Sequence, residues 1–355
     1  MLPEGPGRDH ISGAMPDMPR PMPSSQATNA SDIVFAETSD GLRLPVIDVT
    51  RPPFAIPDDP ASVAALGEGF VKWLSRQQMP GFLTKLLLRL AARRSRLVRI
   101  LFMSDQGYLD SITTYVLKLG PEHLPPGFDS PMDRRIADTP HAPLLRLRMQ
   151  QVAKLLAEAL REPLKRNAAE PLHLINIAGG PALDSVNALI VLRRTDADLL
   201  RRPIAIDVLD SQTEGPAFGA NALKALQAEG APLHGLDITF THRAYDWDDT
   251  AALRSHLEGL RGAITAASSE GGLFEYGSDD AIVANLAALR EGGVAHVAGS
   301  VTSASELRKH MIAQTRFKLY PRGLEGFAPL AARGGYAIAK SEPALFSDQV
   351  LLHPA

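Results

Sequence analysis

The spacing of hydrophobic residues changes near residue 170. Between residues 59 and 166, apolar residues recur at i, i+3 and i+4, which is typical of helices with one buried face. After residue 170, short apolar runs alternate with helical stretches. The runs are Leu172–Ile177, Pro203–Val208, Leu236–Thr241, Gly262–Ala267 and Gly293–Gly299. Strands that alternate with helices predict a parallel sheet with helices on both faces, which is an α/β fold.

The chain is predicted to have three parts. Residues 1–30 are rich in proline, glycine, serine and methionine without periodicity, so we expect a flexible tail. Residues 31–166 are expected to form a mainly helical region that begins with a short hairpin at Asp40-Gly41. Residues 167–355 are expected to form the α/β domain. Such sheets bind ligands at the carboxyl ends of their central strands. We expect the helical region to cover that edge of the sheet as a lid and to contact the substrate.

Composition excludes several classes of function. The 37 basic and 40 acidic residues give a net charge of −3, which argues against a general nucleic-acid binder. The absence of cysteine excludes disulfides, thiolate metal sites and a cysteine nucleophile. Apolar runs are too short to span a membrane, and the N-terminus lacks the pattern of a secretory signal, so we expect a cytoplasmic protein. The histidines are scattered, and we predict no metal site.

A small-residue loop follows the first apolar run. The residues Ala178, Gly179, Gly180, Pro181 and Ala182 stand between a predicted strand and a predicted helix. Small side chains let the backbone turn sharply and approach a ligand, and the helix N-terminus offers free N–H groups. A tight turn without a ligand is the alternative interpretation.

An acid ends the second run. Asp207 is positioned to accept hydrogen bonds from the two hydroxyls of a ribose, and Asp210 is a poorer candidate for the same role. Either acid could instead cap the helix that begins near Pro216.

In this order, the motifs resemble those of the class I methyltransferases that depend on S-adenosylmethionine (SAM). The resemblance covers roughly residues 170–300, from Asn176-Ile-Ala-Gly-Gly-Pro-Ala through Ala205-Ile-Asp207 to the segment Leu289-Arg-Glu-Gly-Gly-Val. It implies a Rossmann-like fold for residues 167–355 and SAM as cofactor. The cofactor residues that it implies are Ala178, Gly179, Gly180, Pro181, Asp207, Val208, Tyr245, Asp246, Trp247, Ser268 and Ser269.

The sequence departs from the resembled family at the loop. The family usually has glycine where this chain has Ala178 and Ala182, and an acid where it has Asn176. We expect the alanines to be tolerated with negative φ angles, and Asn176 to keep a hydrogen bond. A nicotinamide enzyme stays possible although the G-x-G-x-x-G spacing is absent, and a P-loop is excluded.

Two further loops supply candidate side chains. The resemblance places Tyr245-Asp246-Trp247 at the adenine, where a ring stacks on the base and a carboxylate accepts its amino hydrogens. These residues could instead be packing aromatics and a helix cap. After the fourth run, Glu270 is a candidate general base or ammonium binder, and Tyr276 could orient a nucleophile. A solvated loop acid is the alternative for Glu270.

The helical region supplies candidate substrate contacts. Tyr108 is predicted to border the acceptor, and Arg146 or Arg148 could hold the methionine carboxylate of SAM. Exposed positions on an amphipathic helix are the alternative for both arginines.

The function predicted from these features is methyl transfer from SAM to a small molecule, by a protein that could form a homodimer. Two alternatives stay open: transfer of the aminocarboxypropyl group or cyclisation of SAM, and a non-catalytic nucleotide-binding module. Release of methylthioadenosine would indicate the first alternative. Binding of SAM without turnover of any acceptor would indicate the second.

Overall fold

The computed structural model describes residues 33–76, 90–103, 107–313 and 317–355. The predicted tail, residues 1–30, lies outside the described residues, as do residues 77–89 and 104–106 of the predicted helical region.

A seven-stranded sheet organises the described part of the chain. Its order is β5-β4-β3-β6-β7-β9-β8, and β3 to β7 are parallel, whereas β9 runs antiparallel to both β7 and β8. The strands are β3 (Leu172–Ile177), β4 (Ile204–Leu209), β5 (Ile238–Arg243), β6 (Ile264–Ser269), β7 (His296–Thr302), β8 (Tyr336–Pro343) and β9 (Ser347–Pro354). The predicted hairpin is β1 (Phe35–Glu37) with β2 (Arg43–Pro45), paired antiparallel. The α/β class predicted from the alternating pattern is confirmed.

Helices cover both faces of this sheet, as predicted. The first five are α1 (Pro60–Ser75), α2 (Arg96–Met103), α3 (Ser111–Leu119), α4 (Pro131–Ala137) and α5 (His141–Arg166). The helices that alternate with the strands are α6 (Leu183–Thr195), α7 (Glu214–Leu226), α8 (Ala251–Glu258), α9 (Leu273–Tyr276), α10 (Asp279–Glu291), α11 (Glu306–Ala313) and α12 (Gly323–Arg333). Single 3₁₀ turns lie at Pro121–His123 and Ala197–Leu200.

The N-terminal helices pack on the sheet domain. Helix α5 contacts α6, β7 and β9, and α3 packs on α5. Leu147, Val152, Leu156 and Leu160 of α5 are fully buried, so this helix supplies much of the core on its face of the sheet. Residues 33–355 form one compact unit. The boundary predicted at residue 166 therefore separates two types of secondary structure and not two compact units.

Helix α3 begins where its cap directs it. The Asp110 carboxylate accepts a hydrogen bond from Thr113 N–H at 2.8 Å, so the helix begins at Ser111. This start places Ser111 directly against the small-residue loop. No helix in the described ranges is long and apolar enough to cross a membrane.

Candidate functional site

A cavity of about 490 Å³ lies over the carboxyl ends of β3, β4, β5 and β6. The loops that follow these strands line it, and α3 and α5 close it from the other side. The chain runs outward from β3 to β4 and β5, then returns to place β6 on the other side of β3. Such a reversal in strand order opens a crevice where α/β sheets bind ligands. The cavity therefore lies where the sequence predicted a site.

The small-residue loop lies against helix α3. Ala178, Gly179, Gly180 and Pro181 all line the cavity. A Cβ atom at Gly180, which has φ +57°, would lie 2.6 Å from the Ser111 Cβ. The absence of a side chain at Gly180 thus lets the lid helix approach the loop, in addition to any role toward a ligand.

The two alanines of the loop adopt the left-handed conformation. Ala178 has φ +53° and Ala182 has φ +51°, so the expectation of negative φ angles was wrong. The left-handed region costs a residue with a Cβ about 1–2 kcal/mol. The loop therefore keeps a glycine-like backbone at both positions despite the alanine side chains.

Asn176 fixes the start of the loop. Its Oδ1 accepts a hydrogen bond from Gly179 N–H at 3.0 Å. Its Nδ2 donates to the Asp184 carboxylate at 2.8 Å and to Ser268 Oγ at 3.0 Å. Burial, together with the charge of Glu270, raises the pKa of Asp184 to about 6. The hydrogen bond expected for Asn176 is present.

Asp210, and not Asp207, lines the cavity. Asp207 lies within β4, and its carboxylate contacts His173 Nδ1 at 3.0 Å and His256 Nε2 at 3.4 Å. Burial opposes the charge of Asp207, but the two histidines outweigh it and hold the pKa of this carboxyl below its usual range. The structure thus places Asp207, the predicted ribose acid, between two histidines and not at the cavity wall. The cause is that β4 runs to Leu209, beyond the predicted end at Val208.

The Asp210 carboxylate is tied to the small-residue loop. Its Oδ2 accepts a hydrogen bond from Gly180 N–H at 2.9 Å, and its Oδ1 accepts one from Gln212 N–H at 2.8 Å. Burial raises the pKa of Asp210 above its ordinary value. Asp210, the acid that follows β4, is therefore fixed beside the loop, at the wall of the cavity.

Several other predicted cofactor residues lie away from the cavity wall. Val208 is fully buried in the core, and the Tyr245 hydroxyl donates to Asn285 Oδ1 at 2.6 Å inside the protein. The Asp246 carboxylate accepts from Asp248 N–H at 3.0 Å in a local turn. Of the predicted adenine loop, only Trp247 lines the cavity, together with Asp248.

The two predicted serines have structural partners. Ser268 Oγ is 3.2 Å from Ser185 Oγ and accepts from Asn176, and Ser269 Oγ accepts from Leu273 N–H at 2.9 Å. Both side chains are buried and neither lines the cavity, because they lie within β6, which ends at Ser269.

Of the two predicted substrate residues, Tyr108 lines the cavity and Arg146 does not. Arg146 Nη1 donates to the carbonyl oxygens of Lys118 at 3.0 Å and Leu119 at 3.3 Å. Arg146 thus binds the carbonyl end of α3, which attracts cations. The arginine that reaches the cavity is Arg148, two residues further along α5.

A buried group of charges forms one side of the cavity. The Glu270 carboxylate pairs with both Lys118 Nζ and Arg148 Nε, and Arg148 Nη1 pairs with Glu275 at 3.0 Å. Glu270, Lys118 and Arg148 are all at most 8% exposed. Burial alone would raise the pKa of Glu270, but Arg148 and Lys118 outweigh it and hold that pKa below its usual value. Burial lowers the pKa of Lys118.

These contacts change the expectation for the catalytic candidates. Glu270 lines the cavity as predicted, but it is an ionised carboxylate with both oxygens engaged, which makes it a poor general base. Tyr276 also lines the cavity, and burial raises the pKa of its phenol to about 12. Tyr276 is therefore a neutral hydrogen-bond donor.

Two residues of the cavity wall were not expected there from the sequence: Lys118 was not considered, and Asp210 was the poorer of two candidates. Lys118 stands between Leu117 and Leu119 in α3, and a lysine on an apolar helix is usually an exposed position. No signal in the local sequence distinguishes it from such a residue. The described residues contain no group of three His, Cys, Asp or Glu side chains suited to a metal ion.

Comparisons with known proteins concern the fold. No family model and no curated protein matches the chain. Among solved structures, the O-methyltransferase NcsB1 from neocarzinostatin biosynthesis, solved with S-adenosyl-L-homocysteine (SAH) and 1,4-dihydroxy-2-naphthoic acid, is 20% identical, with a TM-score of 0.35. The match covers 52% of this chain and 49% of NcsB1, so the chain spans about half the length of that neighbour.

Two other solved structures match more of the chain. RosA from Streptomyces davawensis, an N,N-8-amino-8-demethyl-D-riboflavin dimethyltransferase, is 16% identical over 64% of this chain and 60% of RosA, with a TM-score of 0.38. A possible exported protein from Bordetella parapertussis is 18% identical over 84% of this chain and 99% of its own, with a TM-score of 0.50. This last likeness shows that the fold is shared over most of the chain.

Proposed function

We propose that the protein transfers a methyl group from SAM to a small molecule. The observation that carries this proposal is the junction of Asp210 with the small-residue loop. The Asp210 carboxylate, at the end of β4, accepts a hydrogen bond from Gly180 N–H in the loop after β3, the strand beside which the strand order reverses. In sheets of this type, an acid at this place holds the ribose of a nucleoside.

The residues of the cavity suit each part of the cofactor. The loop backbone at 178–181 would face the methionine portion, and Asp210 would accept hydrogen bonds from the ribose hydroxyls. Trp247 would contact the adenine ring, and Asp248 would accept its amino hydrogens. This assignment keeps the predicted loop and Trp247, and it replaces Asp207 by Asp210.

The reaction requires little acid–base machinery. SAM supplies an activated methyl, whose carbon bonds to the acceptor as the carbon–sulfur bond breaks and sulfur keeps the electron pair. The chain holds the acceptor in line and excludes water through α3 and α5. Tyr276, a neutral phenol at the cavity wall, can donate a hydrogen bond to an acceptor oxygen. Glu270 has no proton-accepting role in this account, since two cations hold it ionised.

The size of the cavity favours a small acceptor. Its volume of about 490 Å³ lies within the usual range of small-molecule pockets, roughly 300–1,000 Å³. The cytoplasmic location, the homodimer and the lack of a nucleic-acid partner stay predictions from sequence.

Product analysis tests the reaction. The protein is incubated with SAM and a mixture of small hydroxyl, amine and carboxylate acceptors, and the nucleoside products are separated. We expect SAH, formed only with an acceptor present and lost in Asp210→Asn. Methylthioadenosine would instead indicate alkyl transfer or cyclisation, and SAM binding without either product would indicate a non-catalytic module.

A further inference from the structure

The side of the cavity beside β6 has a charge pattern that the transfer of a methyl group does not itself require. Lys118, Arg148 and Glu270 line this side, which we call the inner end. Methyl transfer needs a positioned nucleophile and a bound cofactor, but neither calls for two buried cations at one place. Burying a charge costs several kcal/mol, and an ion pair offsets this cost only when the remaining N–H groups also find partners.

Both cations keep unused hydrogen-bond donors at the inner end. Lys118 Nζ makes one hydrogen bond among the described residues, to Glu270, and has three N–H groups. Arg148 uses Nε for Glu270 and Nη1 for Glu275, whereas its Nη2 makes no hydrogen bond within the described ranges. A side chain at Gly271 would cover this atom, since a Cβ there would lie 2.5 Å from Nη2. Gly271 therefore leaves that edge of the guanidinium open.

The nearby carboxyls do not use these donors. Glu275 lies behind the cavity wall and pairs with Nη1 of Arg148, while Asp184 Oδ1 accepts from the amide of Asn176. With Glu275 included, two cations face two carboxylates, so this group of charges is balanced before any ligand binds. The sulfonium of SAM would add a positive charge. An anionic group on the second ligand would offset that charge.

We propose that the acceptor carries a carboxylate, and that Lys118 Nζ and Arg148 Nη2 hold it at the inner end. The inference rests on the proposed function, since it concerns the acceptor of that same site. Lys118 supplies a point charge and Arg148 supplies a planar donor, a combination suited to the two oxygens of a carboxylate. The acceptor class is then a small organic acid, with Tyr276 beside the group that receives the methyl.

Two matched probes test the proposal without an identified acceptor. Benzoate and benzamide have nearly the same shape, and only benzoate is charged. Each is titrated into the SAH-loaded protein by calorimetry and, separately, into the protein alone. We expect benzoate to bind at least tenfold more tightly than benzamide, the smallest effect of a lost charge-assisted contact. Equal binding of the two probes, or no binding of benzoate at millimolar concentration, would overturn the proposal. This comparison needs no variant.

Two variants assign the preference to residues. Lys118→Met should remove most of the preference for benzoate and leave the affinity for SAH within twofold, while Lys118→Arg should retain part of the preference. Lys154→Met, a lysine of α5 that lies outside the cavity and pairs with Asp58, should change neither the preference for benzoate nor the affinity for SAH. If Lys118→Met lowers the affinity for SAH as much as the affinity for benzoate, the two cations bind the methionine portion of the cofactor, and the proposal is wrong. Failure of SAH to bind the unaltered protein would instead refute the proposed function. The titrations of benzoate and benzamide into the protein without SAH would still test the carboxylate site.

Discussion

Replacing Glu270 by glutamine should destabilise the fold more than it slows any chemistry. The side chain of Glu270 is 5% exposed, and those of its partners Lys118 and Arg148 are 7% and 9% exposed. Glutamine keeps the size but removes the charge, and its single oxygen replaces the two that accept from Lys118 and Arg148, so one of these cations loses its acceptor. Breaking a buried ion pair on one side costs about 3–5 kcal/mol. We expect Glu270→Gln to lower the free energy of unfolding by about that amount.

An exposed ion pair supplies the matched control. Glu158 pairs with Lys340 at 2.7 Å, with 52% and 41% of the two side chains exposed. Glu158→Gln makes the same chemical change in an exposed pair, where ion pairs contribute about 0–1 kcal/mol. Urea unfolding followed by circular dichroism measures both variants against the unaltered protein. The two losses should differ by at least about 2 kcal/mol, the gap between these two ranges.

The pH dependence of this loss follows from the pKa of Glu270. Arg148 and Lys118 hold this pKa below its ordinary value of 4.5, so the stabilisation is present above pH 4.5 and is lost as pH falls through the folded-state pKa. The difference in the free energy of unfolding between the unaltered protein and Glu270→Gln should therefore become smaller as the pH falls below 4.5. Equal losses for Glu270→Gln and Glu158→Gln at neutral pH would refute this reasoning. So would a large fall in turnover with unchanged stability, which is the result expected of a general base.

Three further predictions concern the loop, a buried histidine and an arginine. Gly180→Ala should destabilise the protein in urea unfolding, because the new Cβ would lie 2.6 Å from the Ser111 Cβ. The double variant Gly180→Ala, Ser111→Gly should recover part of the lost free energy of unfolding. No recovery would show that the backbone angle at position 180 alone causes the loss. His141 packs between Phe70 and Phe346, and burial lowers its pKa to about 3. The unfolded chain then binds more protons than the folded one below pH 6.5, so stability falls as pH decreases from 6.5 toward 3. His141→Phe should lessen this fall, and parallel pH curves for the two proteins would contradict it. Arg146→Met should cost about 1.5–3 kcal/mol of stability through its lost bonds to the end of α3, with SAH affinity unchanged in calorimetry.

The sequence pattern predicted the elements better than their ends. The alternation of apolar runs and helical stretches predicted β3 to β7 and the helices between them, because strands such as β3 and β4 are buried on both faces and read as continuous apolar runs. It did not fix where β4 ends, since Val208 and Leu209 are both apolar. That uncertainty of one residue led the sequence prediction to Asp207, whereas the acid at the cavity wall is Asp210.

The inner end of the cavity was beyond the reach of sequence reasoning for another reason. Lys118 and Arg148 lie in different helices, and Glu270 follows a strand more than a hundred positions later in the chain. Their ion pairs exist only because α3 and α5 pack over the sheet. A single sequence shows each residue in a local pattern typical of an ordinary surface position, whereas the loop at 178–181 is contiguous and could be found.

The affinity of SAH for Asp210→Asn and for Asp207→Asn tests the central claim most directly. The two variants make the same change three positions apart, one at the cavity wall and one between His173 and His256. Calorimetry should give micromolar binding to the unaltered protein, about −8 kcal/mol. Asp210→Asn should lose about 1.5–3 kcal/mol, and Asp207→Asn should keep the affinity within twofold. If Asp207→Asn loses the affinity while Asp210→Asn keeps it, or if SAH does not bind at all, the account of this site is wrong.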